Sequence, residues 1–284
     1  MSFFQLLIIA VLQGITEWLP ISSSGHVLLA SDFFGLAGRD ELLINAVSNL
    51  GTLAAMLIYF RKDVAAAVAG GFELVGAAVS RNAALSRGAR LALHILVATP
   101  FAIIVAIAYE VFLPPAMQDA LRSVWTVAAA TIGFGLLLWW ADVRGSRDKR
   151  EADMTIRDAA LIGASQAVAA VIPGTSRSGI TMTAARALGY DRTEAARFSM
   201  LIGAPILAAA GLYGAIGLMD TSQTAGMVSL QDGLIVAAFA FLSGIASIAA
   251  LMALLKRISF LPFVIYRLAL GAVLIATAPS PALI

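Results

Sequence analysis

Two short polar runs interrupt apolar stretches of this chain, and their residue types suit the handling of a phosphate group. The first is Gln13–Gly14–Ile15–Thr16–Glu17–Trp18–Leu19–Pro20, which continues into Ile21–Ser22–Ser23–Ser24–Gly25–His26. It gathers an amide, a carboxylate, three hydroxyls and an imidazole, and Gln13 and Glu17, four apart, share one helix face. The second run is Gln166, then Pro173–Gly174–Thr175–Ser176–Arg177–Ser178–Gly179, with Thr181 beyond. Gln to Pro is 7 positions in both, and the second copy lies 153 residues after the first. Ionisable groups at membrane depth cost about 2.5–3.5 kcal/mol each on insertion scales, so Glu17, His26 and Arg177 are functional candidates by default.

In the second run Pro173 ends one helix and Gly174 permits a tight turn. The next helix then opens with hydroxyls and free N–H groups, a ready anion site, and Arg177 adds a planar fork of donors. This makes Gly174, Ser176, Arg177, Ser178 and Thr181 the expected phosphate-binding set. Gln13, Glu17, Ser22, Ser23, Ser24 and His26 form the expected catalytic set, with Glu17 also the expected metal ligand. His26 is either a general acid or base or the nucleophile, and a serine hydroxyl with His26 as its base is the rival. The plainer alternatives are an interfacial Glu17 with capping serines, and an ordinary Ser176 cap with Arg177 bound to a carboxylate such as Glu17. Phosphoryl transfer needs anion neutralisation and an oriented nucleophile, which the two runs together supply. Their apolar setting points to a lipid phosphate.

These residues must be positioned by membrane helices. The chain has 284 residues, of which 60% are hydrophobic and 13% charged, and a mean hydropathy of +0.91. Soluble domains carry roughly 25% charged residues. The expectation is all-α: one polytopic helical bundle spanning residues 1–284. A net charge of +2 gives no argument for nucleic acid, and the absence of Cys excludes disulfides and thiolate metal sites. With only His26 and His94, a His-rich metal centre is excluded too. No Lys or Arg precedes Arg39, so the first apolar stretch is expected to belong to the mature chain rather than to a signal peptide.

Six stretches read as spans, near 43–60, 90–112, 124–141, 195–218, 233–255 and 261–279. The segment 64–79 reads as a short surface helix. Segments 3–35 and 158–190 are apolar but broken, as expected of re-entrant hairpins whose irregular backbone is buried in protein. Lys and Arg cluster at 61–62, 81–90, 144–150 and 256–257, which places those loops in the cytoplasm. Each half is then one hairpin followed by three spans, an inverted-topology repeat of approximately 1–142 and 155–284 joined by a charged cytoplasmic linker. The first hairpin dips in from outside and the second from the cytoplasm.

At the Gln13-x-x-x-Glu17 piece, the Ser22–His26 run and Pro173–Gly174–Thr175–Ser176–Arg177–Ser178, the chain resembles the undecaprenyl-pyrophosphate phosphatases, the bacitracin-resistance family of bacterial inner membranes. The resemblance covers nearly the whole chain. It implies hydrolysis of undecaprenyl diphosphate to undecaprenyl phosphate and inorganic phosphate outside the cytoplasm. That reaction recycles the lipid carrier of peptidoglycan synthesis and underlies bacitracin resistance. It also implies a divalent cation, Mg²⁺ or Ca²⁺, and an active site open to the periplasmic side. By position Glu17 matches the family's acidic residue, Ser22–Ser24 and His26 its catalytic loop, and Arg177 its phosphate-binding arginine. Some members carry Glu where this chain has Gln13. A Gln is no base, which puts more weight on Glu17, and Mg²⁺ manages with one or two carboxylates plus substrate phosphates.

The type 2 phosphatidic-acid phosphatases also use a Ser-Gly-His and a Ser-Arg piece, but their second histidine follows the Ser-Arg piece, and no His follows Arg177 here. A second class of reading is a lipid-phosphate flippase or ion-coupled transporter using the same anion site, and a weaker third is a membrane scaffold. His94 reads as a packed helix histidine, Glu110 as interfacial, and Trp139–Trp140 as an aromatic belt. Small residues such as Gly211, Gly214, Gly217 and Gly244 permit close helix contact within the chain or in a homodimer.

Overall fold

The computed structural model of the protein describes residues 3–23, 25–26, 39–80, 85–219 and 229–278. Ser24 of the expected catalytic set and most of the second arm of the first hairpin lie outside the described residues. Among the described residues the chain is all-helical, with no strand. In order the helices are α1 (Phe3–Trp18), α2 (Arg39–Tyr59), α3 (Arg61–Ser80), α4 (Arg87–Ala98), α5 (Pro100–Phe112), α6 (Pro115–Leu121), α7 (Val124–Arg144), α8 (Ile156–Val171), α9 (Arg177–Ala187), α10 (Arg192–Met219), α11 (Leu230–Leu255) and α12 (Leu261–Thr277).

Four helical stretches are long and apolar enough to cross a membrane: Arg87–Phe112, Val124–Arg144, Arg192–Leu212 and Leu230–Leu255. Each coincides with an expected span. The expected spans near 43–60 and 261–279 are helices as well, with apolar portions Ile44–Tyr59 and Leu261–Thr277 that are shorter. The stretch 87–112 is split at Thr99, because Pro100 has no N–H to continue the ladder. Segment 61–80 is a full helix of 20 residues rather than the short one expected. It packs on α4 and leaves Phe72 and Val75 exposed.

The two broken segments exchange partners across the chain. Helix α1 packs on α11, and α8 packs on α4 and α5. Helix α2 pairs with α10, and α7 with α12. The central core is built from small and aliphatic side chains around Trp18, Met56, Leu138, Met182, Met200 and Ile248. Small residues let backbones approach in an environment where lipid offers no hydrophobic drive to associate.

The charged ends are organised by guanidinium–carboxylate hubs. Asp142, at the end of α7, accepts from Arg186 at 2.9 Å and from Arg192 through two nitrogens at 2.7 and 2.8 Å. It also accepts the backbone N–H of Phe260 at 3.2 Å, so one carboxylate joins α7, α9, α10 and the start of α12. A second hub joins Asp63 of α3, Glu151 of the linker, Arg87 of α4, and Arg197 and Glu194 of α10, with contacts of 2.6–3.2 Å.

Burial alone raises the Asp63 and Glu151 carboxyls, but hydrogen bonds and charge from Arg197 and Arg87 outweigh it and hold both below the usual carboxylate range. A depressed folded pKa contributes stability that is complete above the unfolded value, about 3.9 for Asp and 4.3 for Glu. That contribution is lost as pH falls through the lower folded value. The thermal midpoint of detergent-purified protein, followed from pH 7 to pH 3, is therefore expected to drop more steeply below about pH 4 than that of Arg197→Met. Parallel curves would show that the hub contributes no linked stability.

Candidate active site

The two polar runs meet inside the bundle. Glu17 sits one residue before the end of α1, and Arg177 is the first residue of α9. The carboxylate Oε1 accepts from Arg177 Nη2 at 3.0 Å, across 160 positions of sequence. Their side chains are only 10% and 14% exposed. The other carboxylate oxygen accepts from Gln13 Nε2 at 3.0 Å and from the Ser23 hydroxyl at 3.3 Å. Gln13 Nε2 also donates to Asn49 Oδ1 of α2 at 3.2 Å. The Arg177 guanidinium lies 5.5 Å from the Trp18 ring, a cation–π contact on a fully buried indole.

Both turns share an uncommon backbone. Ser22 and Ser176 have φ of +70° and +67°, the only non-glycine residues with positive φ among those described. Such a residue costs of order 1–3 kcal/mol and persists only where its surroundings enforce it. Each stands before a new helix: Ser23, Gly25 and His26 are helical, and Ser176 caps α9 by accepting the Gly179 N–H at 3.1 Å. Arg177 and Ser23 thus occupy the same place in their turns, one residue past the strained serine, and both reach Glu17.

What enforces the turns is Arg267 of α12, which is fully buried. Its Nε donates to Thr131 O at 2.9 Å, Nη1 to Thr175 O at 3.0 Å and Pro20 O at 3.4 Å, and Nη2 to Gly174 O at 3.0 Å and Ala130 O at 3.4 Å. One guanidinium therefore binds carbonyls of both broken segments and of α7. Gly174 has φ +89°, and a Cβ there would lie 2.4 Å from Val127 O, so only glycine fits this turn.

Several expected site residues take structural places. Ser178 donates to Leu19 O at 3.0 Å and to Glu17 O at 3.3 Å, tying the second run to the first. Thr181 is fully buried, its hydroxyl bonded to Ser199 Oγ at 2.6 Å and to carbonyls of its own helix. His26 is engaged elsewhere: Nδ1 lies 2.8 Å from Ser22 O, and Nε2 lies 2.5 Å from the Tyr266 hydroxyl. A carbonyl can only accept, so Nδ1 carries the proton and, in the neutral ring, Nε2 accepts from Tyr266. No hydrogen bond joins His26 to Glu17 or Arg177 among the described residues. Gln166 is buried on α8, its amide without a partner among the described residues. Glu110 reaches Arg122 at 3.8 Å on the exposed surface.

The anionic partner of Arg177 in this structure is the protein's own Glu17, the arrangement named as the plainer alternative. Three buried atoms beside the pair have no hydrogen-bond partner among the described residues: Gln13 Oε1, Trp18 Nε1 and Arg177 Nη1. Buried polar groups left so are costly, which marks this cluster as one whose bonding is incomplete. No group of three His, Cys, Asp or Glu gathers among the described residues. The oxygen donors at hand are Glu17, Gln13 Oε1 and Asn49 Oδ1, all hard ligands.

Asn49, Gly203, Tyr266 and Arg267 were not singled out from the sequence. The rule that flags Glu17 applies equally to Arg267, a charge inside the apolar stretch 261–279. Gly203 of α10 gives no such signal. A Cβ there would lie 1.7 Å from Arg177 Nη1, so the guanidinium rests on bare backbone.

The chain matches the family model described as "Bacitracin resistance protein BacA" over residues 6–273. It is 70% identical over 279 residues to the undecaprenyl-diphosphatase of Hyphomonas neptunium, covering 98% of each chain. It is 45% identical over 281 residues to that of Ruegeria pomeroyi, covering 99% of this chain and all of the relative. With the protein of the same name from Maricaulis maris it shares 46% over 275 residues, covering 97% and 98%.

Substitutions at two positions test this geometry. Arg267→Leu strips donors from five buried carbonyls, each costing about 1–3 kcal/mol if left unpaired. The expected result is a large fall in thermal midpoint, which Arg267→Lys restores only in part because an ammonium cannot bridge both turns. Gly203→Ala is expected to displace Arg177 and reduce turnover at least tenfold while the protein still purifies as a monodisperse species. Full activity in Gly203→Ala would show that the position of Arg177 is unimportant.

Proposed function

The chain belongs to the bacitracin resistance protein BacA family, and from that premise we propose that it hydrolyses undecaprenyl diphosphate to undecaprenyl phosphate and inorganic phosphate. The single observation that carries this reading is the meeting of Glu17 and Arg177 at 3.0 Å, from two separate breaks, inside an apolar bundle. A guanidinium held at such depth suits the binding of a diphosphate, whose oxygens take its fork of donors. Trp18 stacks beneath the guanidinium and limits its orientation. Gln13 and Ser23 orient the Glu17 carboxylate through the bonds described. The names of the relatives support the substrate class.

Glu17 and Asn49 Oδ1 would hold a hard divalent cation, Mg²⁺ or Ca²⁺, joined by Gln13 Oε1 once that amide turns over, since its Nε2 now faces both oxygens, and with substrate oxygens completing the shell. When bound, that ion supplies charge neutralisation at the phosphoryl group. The remaining chemistry falls to the chain. Arg177 binds and orients the diphosphate, Glu17 and Gln13 fix the attacking group, and Ser22, Ser23, Ser24 and His26 supply the nucleophile and its proton acceptor. The Tyr266 bond occupies the imidazole lone pair at Nε2, so His26 serves as nucleophile or as proton acceptor only once that bond opens. An apolar groove of about 430 Å³, bordered by Ile15, Leu19, Ser243, Ser247 and Phe263, adjoins this region and suits the polyprenyl tail.

The bundle reading is six spans, counting α2 and α12, with two re-entrant hairpins in an inverted repeat. The reciprocal packing of α1 on α11 and of α8 on α4 and α5 supports it. In the bacterial inner membrane, with the site open to the periplasm, the reaction would recycle the carrier of peptidoglycan synthesis and confer bacitracin resistance.

Phosphate release from undecaprenyl diphosphate by detergent-purified protein tests this directly. The expected outcome is metal-dependent release that chelator abolishes and that Glu17→Gln or Arg177→Ala lowers by about 10²-fold or more, within the usual range for a lost catalytic group. Because truncating one side of a buried pair costs about 3–5 kcal/mol, each variant's thermal midpoint is measured alongside. No release by folded wild-type protein under any metal condition would instead favour a lipid-phosphate transporter on the same anion site.

A further inference from the structure

A second polar pocket lies well away from the Glu17–Arg177 pair, at the end of the bundle marked by the Lys/Arg-rich loops. Its walls are the first two turns of α4 (Arg87, Arg90, His94), the linker (Arg150, Glu151) and the start of α10 (Glu194), and its volume is about 290 Å³. His94 is 6% exposed. Neither of its ring nitrogens has a hydrogen-bond partner among the described residues, although the ring lines this cavity. A largely buried imidazole that lines a cavity without a hydrogen-bond partner is free to bond what fills it.

The charges on the walls specify its sign. Glu151 is held by Arg87 at 2.7 Å and by Arg197 at 2.6 Å, and Glu194 by Arg197 at 3.2 Å. Arg87 and Arg197 also share Asp63. The carboxylates are thereby occupied. Arg90 and Arg150, both exposed residues of the lining, make no salt bridge among the described residues, although Arg150 lends its charge to Asp191. The start of α4 is already engaged, because Ser86 donates its N–H and hydroxyl to Glu73 at 2.9 and 2.6 Å, so the pocket is served by side chains along one face of that helix. Two guanidiniums without a salt bridge and a buried imidazole together match a compact dianion, and guanidinium forks match phosphate oxygens in geometry.

We infer that this pocket binds a phosphate group, either inorganic phosphate or the phosphomonoester head of a lipid, at Arg90, Arg150 and His94. Both are products of the proposed reaction, and only that choice of probes rests on the functional reading above. The chain has two histidines, so imidazole resonances of purified, isotope-labelled protein report the two regions separately, with His94→Gln identifying its own signal. Inorganic phosphate and a water-soluble short-chain prenyl monophosphate are titrated in turn. The expected result is a saturable shift of the His94 resonances, with apparent affinity at least tenfold weaker in Arg90→Ala and Arg150→Ala. Both variants are expected to keep wild-type hydrolysis and an unchanged ligand-free thermal midpoint. Shifts with both probes identify a free-phosphate site, and shifts with the prenyl monophosphate alone a lipid-headgroup site. No shift with either probe, or a shift that persists undiminished in both Arg90→Ala and Arg150→Ala, would overturn the inference. Failure of hydrolysis would be read in the phosphate-release assay and leaves this binding result untouched.

Discussion

The site depends on one guanidinium that takes no part in it. Arg267 is wholly buried and binds backbone carbonyls of Pro20, Gly174 and Thr175, the breaks in the two polar segments, together with α7. A broken helix in an apolar setting leaves carbonyls that lipid cannot satisfy. Water would satisfy them, but so would a fixed donor, and a five-donor planar fork suits two turns that lie side by side. The cation in turn receives its solvation from those carbonyl dipoles rather than from a carboxylate. Removing either side leaves the other expensively bare, so turn geometry and buried charge stabilise one another.

The strained serines follow from that clamp. Ser22 and Ser176 hold positive φ because the chain on one side of each is fixed by Arg267 and on the other by a helix start. The strain sets the direction in which the following residue points. Ser23 and Arg177 consequently converge on Glu17 from two segments, while Gly203 leaves its backbone bare where the guanidinium lies. The spacing of these groups thus resides in the clamp.

Much of this was legible in the sequence. Hydropathy located the helices, because a helix that meets lipid is apolar all round and its ends are charged. The paired breaks were legible because Pro and Gly have backbone consequences independent of context. Glu17 and Arg177 stood out as charges in apolar runs. Asn49 and Tyr266 did not, since a neutral polar residue in a span has many uses and only the fold brings these two beside Gln13 and His26. Thr181 shares a helix face with Arg177 in the sequence pattern, yet the fold brings Ser199 against its hydroxyl, which no spacing rule foretells. The split at Thr99 was available from Pro100, which lies within a run apolar enough to mask it.

The 160 positions between Glu17 and Arg177 also impose an order in time. Ribosomes add roughly 5–20 residues per second, so the carboxylate is made about ten to thirty seconds before its guanidinium exists. Arg267, which fixes the turns, is later still. Throughout that interval an acid destined for the membrane interior has no cation to face. Its end of α1 then stays in contact with water and settles only once the second half of the chain has arrived. The first helix of this protein is thus among the last to reach its final depth.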